Sequence, residues 1–130
     1  MTTISKFEKL EIWQEAQLLA KEIHLISKET ELKTNFRFKE QIKSSSGSMM
    51  DNIAEGFETD GNIEFGQFLS IAKGSVGKCR SQIYRLYDYE YISEDKFVEL
   101  KNKYENLSDR IIKNFIAYLN KKDFKGTNFQ

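Results

Sequence analysis

Apolar residues recur at steps of three and four through four long stretches of this 130-residue chain, and it contains no proline. Proline breaks helix interiors, so its absence leaves each stretch free to run as one helix. The stretch 38–56, FKEQIKSSSGSMMDNIAEG, shows the pattern most fully. Phe38, Ile42, Met49 and Ile53 form an apolar seam. Gln41, Ser45, Ser48, Asn52 and Glu55 make a polar stripe beside it, and Ser44, Gly47, Asp51 and Ala54 a third, mostly small one. A surface helix needs one packed face, so three stripes predict more than one neighbour. Gly56 is expected to stop this helix, because glycine accepts the left-handed conformation of a C-terminal cap.

The same spacing predicts three more helices. The first spans 10–28, with Trp13, Ala16, Ala20 and Ile23 flanked by Ile12, Leu19 and Ile26. Glu15, Glu22 and Glu29, seven apart, are expected on a solvated flank. Residues 29–35 lose the period and read as a connection, placing the opening helix at 36–56. Asp60-Gly61 marks a turn before a helix at 63–89. Its core stripe is Phe65, Phe68, Leu69, Ala72, Val76, Cys79, Ile83 and Leu86; opposite lie Gly66, Ser70, Gly74, Gly77, Ser81 and Tyr84. Each interior glycine costs about 1 kcal/mol against alanine, which close approach of another helix would offset. A tolerated solvent face is the alternative. Ser93 is placed to cap a fourth helix over 94–120, with Glu94 and Asp95 suited to its dipole. The tail KKDFKGTNFQ is expected to fray. Four helices with short links predict an all-α, antiparallel up-down-up-down four-helix bundle in one domain.

The composition narrows the chemistry. Twenty basic and twenty acidic residues balance, so no global field points to nucleic acid or membrane. No apolar run approaches the roughly 20 residues of a membrane span. One cysteine, Cys79, excludes an internal disulfide and a cysteine-based zinc site; with no visible signal peptide it suggests a reducing cytoplasm. His24 is the only histidine, whereas a di-iron bundle needs two Glu-x-x-His motifs. Cys79 lies on the apolar stripe, and no glycine-rich phosphate loop is present. The expectation is a non-enzymatic protein without metal or cofactor. Glu55 near Asn52 lacks a second carboxylate or a histidine in its stripe, so two readings of that stripe remain: a hydrogen-bonded layer between helices and a solvated flank. Asn52 and Glu55 are expected to act structurally, through hydrogen bonds between helices or to the following turn.

Charge is unevenly spread. Lys33, Arg37, Lys39 and Lys43 face only Glu40 within 32–50, and Lys73, Lys78, Arg80 and Arg85 face only Glu64 within 61–87. Lys73, Lys78, Arg80 and Arg85 are the first candidates for phosphate contact, with Arg37, Lys39 and Lys43 second. Solubility and charge pairing between subunits form the plain alternative. The small stripes, Gly66, Ser70, Gly74, Gly77, Ser81 and Tyr84 with Ser44, Gly47 and Ala54, are candidates for an oligomer interface.

With its helices placed, the chain resembles the four-helix-bundle family encoded in intervening sequences of bacterial 23S ribosomal RNA genes. The matching blocks are Leu10-Glu11-Ile12-Trp13-Gln14-Glu15-Ala16, Gln41-Ile42-Lys43, Asn52-Ile53-Ala54-Glu55-Gly56 and the run from Phe65 to Ser75. The family commonly follows its Gln-Ile block with two basic residues, where this chain has Lys43-Ser44. After Gly-Ser it often carries an acidic residue, where this chain has Val76-Gly77-Lys78. The resemblance implies a bundle. Through similarity to the accessory variability determinant of diversity-generating retroelements, it also implies a ring-like homopentamer; that relative binds nucleic acid and a reverse transcriptase. The expected function is an oligomeric helical scaffold whose partner is structured RNA or DNA, the alternative being a protein-interaction adaptor without nucleic-acid affinity.

Overall fold

Helix ends in the computed structural model, which describes residues 4–59 and 61–120, follow the local chemistry of the chain. After a 3-10 turn at Phe7–Lys9, α1 runs Glu11–Glu29. Thr30 closes it by donating its hydroxyl to the Ile26 carbonyl at 2.8 Å, and accepts the Leu32 N–H to start a second 3-10 turn, Glu31–Thr34. That turn buries Leu32 completely, so the connection also contributes to the core. α2 spans Phe36–Glu58, α3 Asn62–Asp88 and α4 Glu94–Asn120. Asn35 caps α2 by accepting the Phe38 N–H, and donates its amide to the Tyr91 hydroxyl at 3.0 Å, tying α2 to the α3–α4 link. Glu90 takes φ 62 there, and the Tyr91 N–H closes back on the Leu86 carbonyl at 2.9 Å. This is the usual closure of a helix by one left-handed residue, built here on glutamate. Ser93 accepts the Lys96 N–H as the cap of α4. The tail 121–130 lies outside the described residues.

The four apolar seams converge on one core. α1 supplies Ile12, Ala16, Leu19, Ile23 and Ile26, a centre rotated slightly from the Trp13–Ala20 line, since both of those are half-buried. α2 supplies Phe38, Ile42, Met49, Ile53 and Phe57, and α4 Leu100, Tyr104, Leu107 and Ile111. The α3 stripe is buried as expected, except that Phe68 is half-exposed. Among neighbouring helices, contact is densest between α2 and α3 and sparsest between α1 and α4. Gly56 meets Phe68 where Ser48 meets Ser75, and Glu11 meets Arg110 where Glu22 meets Lys96, so in each pair the later residue of one helix faces the earlier residue of the other and the neighbours run antiparallel. The fold is an all-α, up-down-up-down four-helix bundle.

One expectation fails here. Gly56 does not end α2; the helix continues through Phe57, which is buried, to Glu58. A methyl group at Gly56 would lie 2.5 Å from Phe68 Cβ and 3.2 Å from Phe65 Cδ1. Glycine is needed for close approach to α3, not for a left-handed cap. At Gly47 the same methyl would meet nothing within 4 Å. Gly56→Ala should therefore lower stability by about 1–3 kcal/mol through overpacking. Gly47→Ala should raise it by roughly 0.5–1 kcal/mol through helix propensity. Urea denaturation followed by circular dichroism checks both, and equal midpoints for the two variants would contradict the close approach.

Candidate nucleic-acid interface and polar seam

Along α2 and α3 the 3.6-residue period brings two polar files together. From α2 come Arg37, Gln41, Ser45, Ser48 and Asn52; from α3 come Ser75, Lys78, Gln82 and Arg85, with Tyr89 as its C-cap. Ser48 and Ser75 share a hydrogen bond of 2.8 Å between hydroxyls. Asn52 donates its amide to the Ser48 carbonyl at 2.8 Å and hydroxyl at 2.9 Å, completing a chain of three side chains across the contact. Ser45 is buried and donates to the Gln41 carbonyl of its own helix. The ends of the predicted stripe differ from its centre. Gln41 is exposed, and so is Glu55, whose carboxylate makes no hydrogen bond among the described residues. Only the Glu55 carbonyl is engaged, by the N–H and hydroxyl of Thr59. Position near a helix end gives the Glu55 side chain solvent in place of a partner helix, while its carbonyl meets the following turn through Thr59.

Gln82 escaped the sequence reading. It is 4 % exposed, and its Oε1 has no partner among the described residues. Its place between Lys78 and Arg85, at the same three- and four-residue steps, was the available signal.

The seven basic candidates fall into three groups. Arg85 turns toward α2, where its guanidinium lies 4.1 Å above the Phe38 ring and 5.8 Å from the Tyr89 ring; Lys78 is exposed on the same file of α3, and Arg37 is exposed on α2. Lys73 and Arg80 share a file with Tyr84 and Tyr87, whose rings pack 4.9 Å from Phe97 of α4. Lys39 lies over Phe36 at 4.9 Å, and Lys43 follows one turn later on the flank of α2 away from the seam. None of the seven forms an ion pair among the described residues.

Four of the five cations of α4 behave differently. Lys96 and Lys103 contact Glu22 at 2.9 and 3.0 Å, and both also contact Glu99. Arg110 meets Glu15 at 3.2 Å and also Glu11, while Lys101 pairs with Glu105. The hydrogen bond to Glu22 is the main cause holding the Lys96 ammonium above its ordinary value; the bond to Glu99 does so for Lys103. Lys103 in turn holds the Glu99 carboxyl below its own. Glu15 and Glu22 are thus not a solvated flank: they join α1 to α4, and only Glu29 is exposed. Such exposed pairs contribute little each, so they orient the seam more than they stabilise it.

Nothing catalytic is gathered in the core. Burial pushes the Cys79 thiol up to about 12, far from a reactive thiolate, and the facing Tyr104 hydroxyl is raised well above its usual range. Among the described residues no three His, Cys, Asp or Glu side chains gather to hold a metal, and His24 is exposed. No described helix is long and apolar enough to cross a membrane.

The small-residue stripes lie mostly outside. Ser70, Gly74, Gly77, Ser81 and Ser44 are exposed, Gly47 and Ala54 half-buried, and Gly66 is buried. A methyl at Gly74 or Gly77 would meet nothing within 4 Å. On the exposed surface, Tyr84 of α3 and Val98, Ile112 and Ile116 of α4 supply apolar area.

A family model described as 23S rRNA-intervening sequence protein matches residues 8–113. The chain belongs to this family. A solved structure is also similar: a protein with unknown function from the S23 ribosomal protein family of Bacteroides thetaiotaomicron VPI-5482. It is 20 % identical, with a TM-score of 0.74, over 81 % of this chain and 95 % of that one, a likeness of fold. No curated protein matches the chain. The family match spans all four helices as far as Lys113, taking in the polar seam and both ends of the α1–α4 ion pairs. The matched range includes Gly56, where α2 approaches Phe68 of α3 too closely for a side chain.

Asn52→Leu should cost about 1–3 kcal/mol, by leaving Ser48 and Ser75 without their third partner. Glu55→Leu should stay within about 0.5 kcal/mol of the parent. Thermal melts decide the matter, and a larger loss for Glu55→Leu would reverse the assignment.

Proposed function

We propose that this family member is a non-catalytic helical scaffold that assembles with copies of itself and binds RNA or DNA through α2 and α3. The observation that carries the reading is a contrast in charge: Lys96, Lys101, Lys103 and Arg110, four of the five cations of α4, are paired with carboxylates, whereas none of the seven cations of α2 and α3 named above is paired among the described residues. Of these, Arg37, Lys78 and Arg85 lie on the seam files, which hold no carboxylate between Arg37 and Ser48 or between Ser75 and Tyr89, so that strip is locally positive in a chain of zero net charge. Repetition of that surface in an assembly would multiply its effect. The setting of this reading is the cytoplasm. The adaptor reading is favoured by a different feature, the hollows along α1 and α4 beside Leu18, which is 61 % exposed, and Leu25.

Binding should be mainly electrostatic. Affinity for an RNA or DNA hairpin should fall steeply between about 50 and 200 mM salt, and glutamine at Lys73, Lys78, Arg80 and Arg85 together should weaken it. Absence of wild-type binding at low salt, measured by fluorescence anisotropy, would give preference to the adaptor.

Self-assembly draws on the outer face of α3 and α4, where small residues adjoin exposed Tyr84, Val98, Ile112 and Ile116. A pentamer is the number implied by resemblance. Gly74→Leu and Gly77→Leu should break the assembly while leaving the bundle helical, because the isolated chain has room at both positions. Light scattering beside circular dichroism reads this, and a wild-type mass of 15.3 kDa, one chain, would refute assembly.

A further inference from the structure

The two basic files of α3 border different surfaces. On the side of Lys73 and Arg80, Tyr84 and Tyr87 pack on Phe97 of α4, a helix that carries the exposed apolar residues Val98, Ile112 and Ile116. Beside Lys78 and Arg85, α2 presents Arg37, Gln41, Ser45 and Ser48. From Arg37 to Ser48 on α2, and from Ser75 to Tyr89 on α3, the facing files hold cations, amides, hydroxyls and one aromatic ring, without a carboxylate. The first surface suits a protein; the second suits an anion.

The aromatic ring narrows the class of anion. Tyr89 is 50 % exposed at the end of the seam, and its packed surface meets Phe38 and Tyr91 edge-to-face at 5.9 Å. Arg85 lies beside it, 5.8 Å from the ring centroid. Asp88 and Glu90 flank Tyr89 in sequence. A phosphate is disfavoured next to those carboxylates, whereas a neutral base is not. Base–aromatic stacking also requires a base freed from its own helix, and single strands provide one.

Resting on the nucleic-acid reading above, we propose that the α2–α3 seam binds single-stranded nucleic acid, with an unpaired base stacked on Tyr89 and the backbone passing Arg85, Arg37 and Lys78. The order of groups follows the seam: the ring at the α3–α4 link, then Arg85 over Phe38 with Arg37 next to Phe38 in the chain, then Lys78 two helical turns from Arg85. Lys73 and Arg80 stand outside this path.

The test is anisotropy with one labelled oligonucleotide, as RNA and as DNA, single-stranded and annealed to its complement. The single strand should bind more tightly than the duplex. Tyr89→Ala should weaken it about tenfold, the scale of one lost stacking contact, and Tyr89→Phe should not. Arg37→Gln with Lys78→Gln should flatten the slope of log affinity against log salt by about 1.4, from two contacts at roughly 0.7 each. Lys73→Gln with Arg80→Gln should leave the slope unchanged. If Tyr89→Ala fails to fold, Tyr89→Leu replaces it, filling the space without a π face. Equal affinity for duplex, or a slope that responds to Lys73 and Arg80 but not to Arg37 and Lys78, would overturn the seam while nucleic-acid binding stands. No binding of any form at low salt would overturn both.

Discussion

The close approach of α2 to α3 sets the geometry of the whole bundle. Gly56 removes the side chain that would strike Phe68, and the Ser48–Ser75 hydrogen bond pins the register two helical turns away. A slip of one residue would separate the two hydroxyls and drive a side chain into the space beside Gly56. The fixed register also carries Arg85 over Phe38 and aligns the link so that Asn35 meets Tyr91. Apolar burial provides the driving force, but it is tolerant of sliding; the glycine and the paired serines make one alignment preferable.

The helices were legible because their apolar period is clean and proline is absent. Ser93 was readable as a cap because a hydroxyl two or three residues ahead of free N–H groups has one local use. Gly56 was not readable in the same way: a helix stop and a close approach both call for glycine, and only the position of Phe68 separates them. Glu15 and Glu22 pose a similar problem. A glutamate on a helix flank has the same spacing whether it faces water or, like Glu22, a lysine 74 residues later. The polar stripe was half legible. Its centre at Ser48 and Asn52 meets a neighbour, while Gln41 and Glu55 have the same periodicity and face solvent. Gln82 shows the limit from the other side, since periodicity put a polar residue at the edge of the core and packing then covered it.

Zero net charge conceals a partition. Contacts between α1 and α4 consume acidic and basic groups together, whereas α2 and α3 keep both signs unpaired and sort them by face, the cations alone lying on the files that meet at Ser48 and Ser75. The sum over a sequence therefore says little about the potential at one face. The positions of the carboxylates decide it, and here those of α1 are turned toward α4.

The sparse contact between α1 and α4 has a consequence in time. Joining α2 to α3 requires closing only a short link, whereas Glu11 and Arg110 are 99 residues apart in the chain. Loop-closure entropy rises with that separation, so local hairpins are expected to form ahead of the seam that shuts the ring of helices. Ion pairs suit a last step of this kind, because charged edges stay hydrated while they wait and do not adhere to other chains. An apolar edge kept open for the same interval would invite aggregation. The expected order of assembly is a central α2–α3 pair, extension by α4 and by the α1–Leu32 segment, and then electrostatic closure.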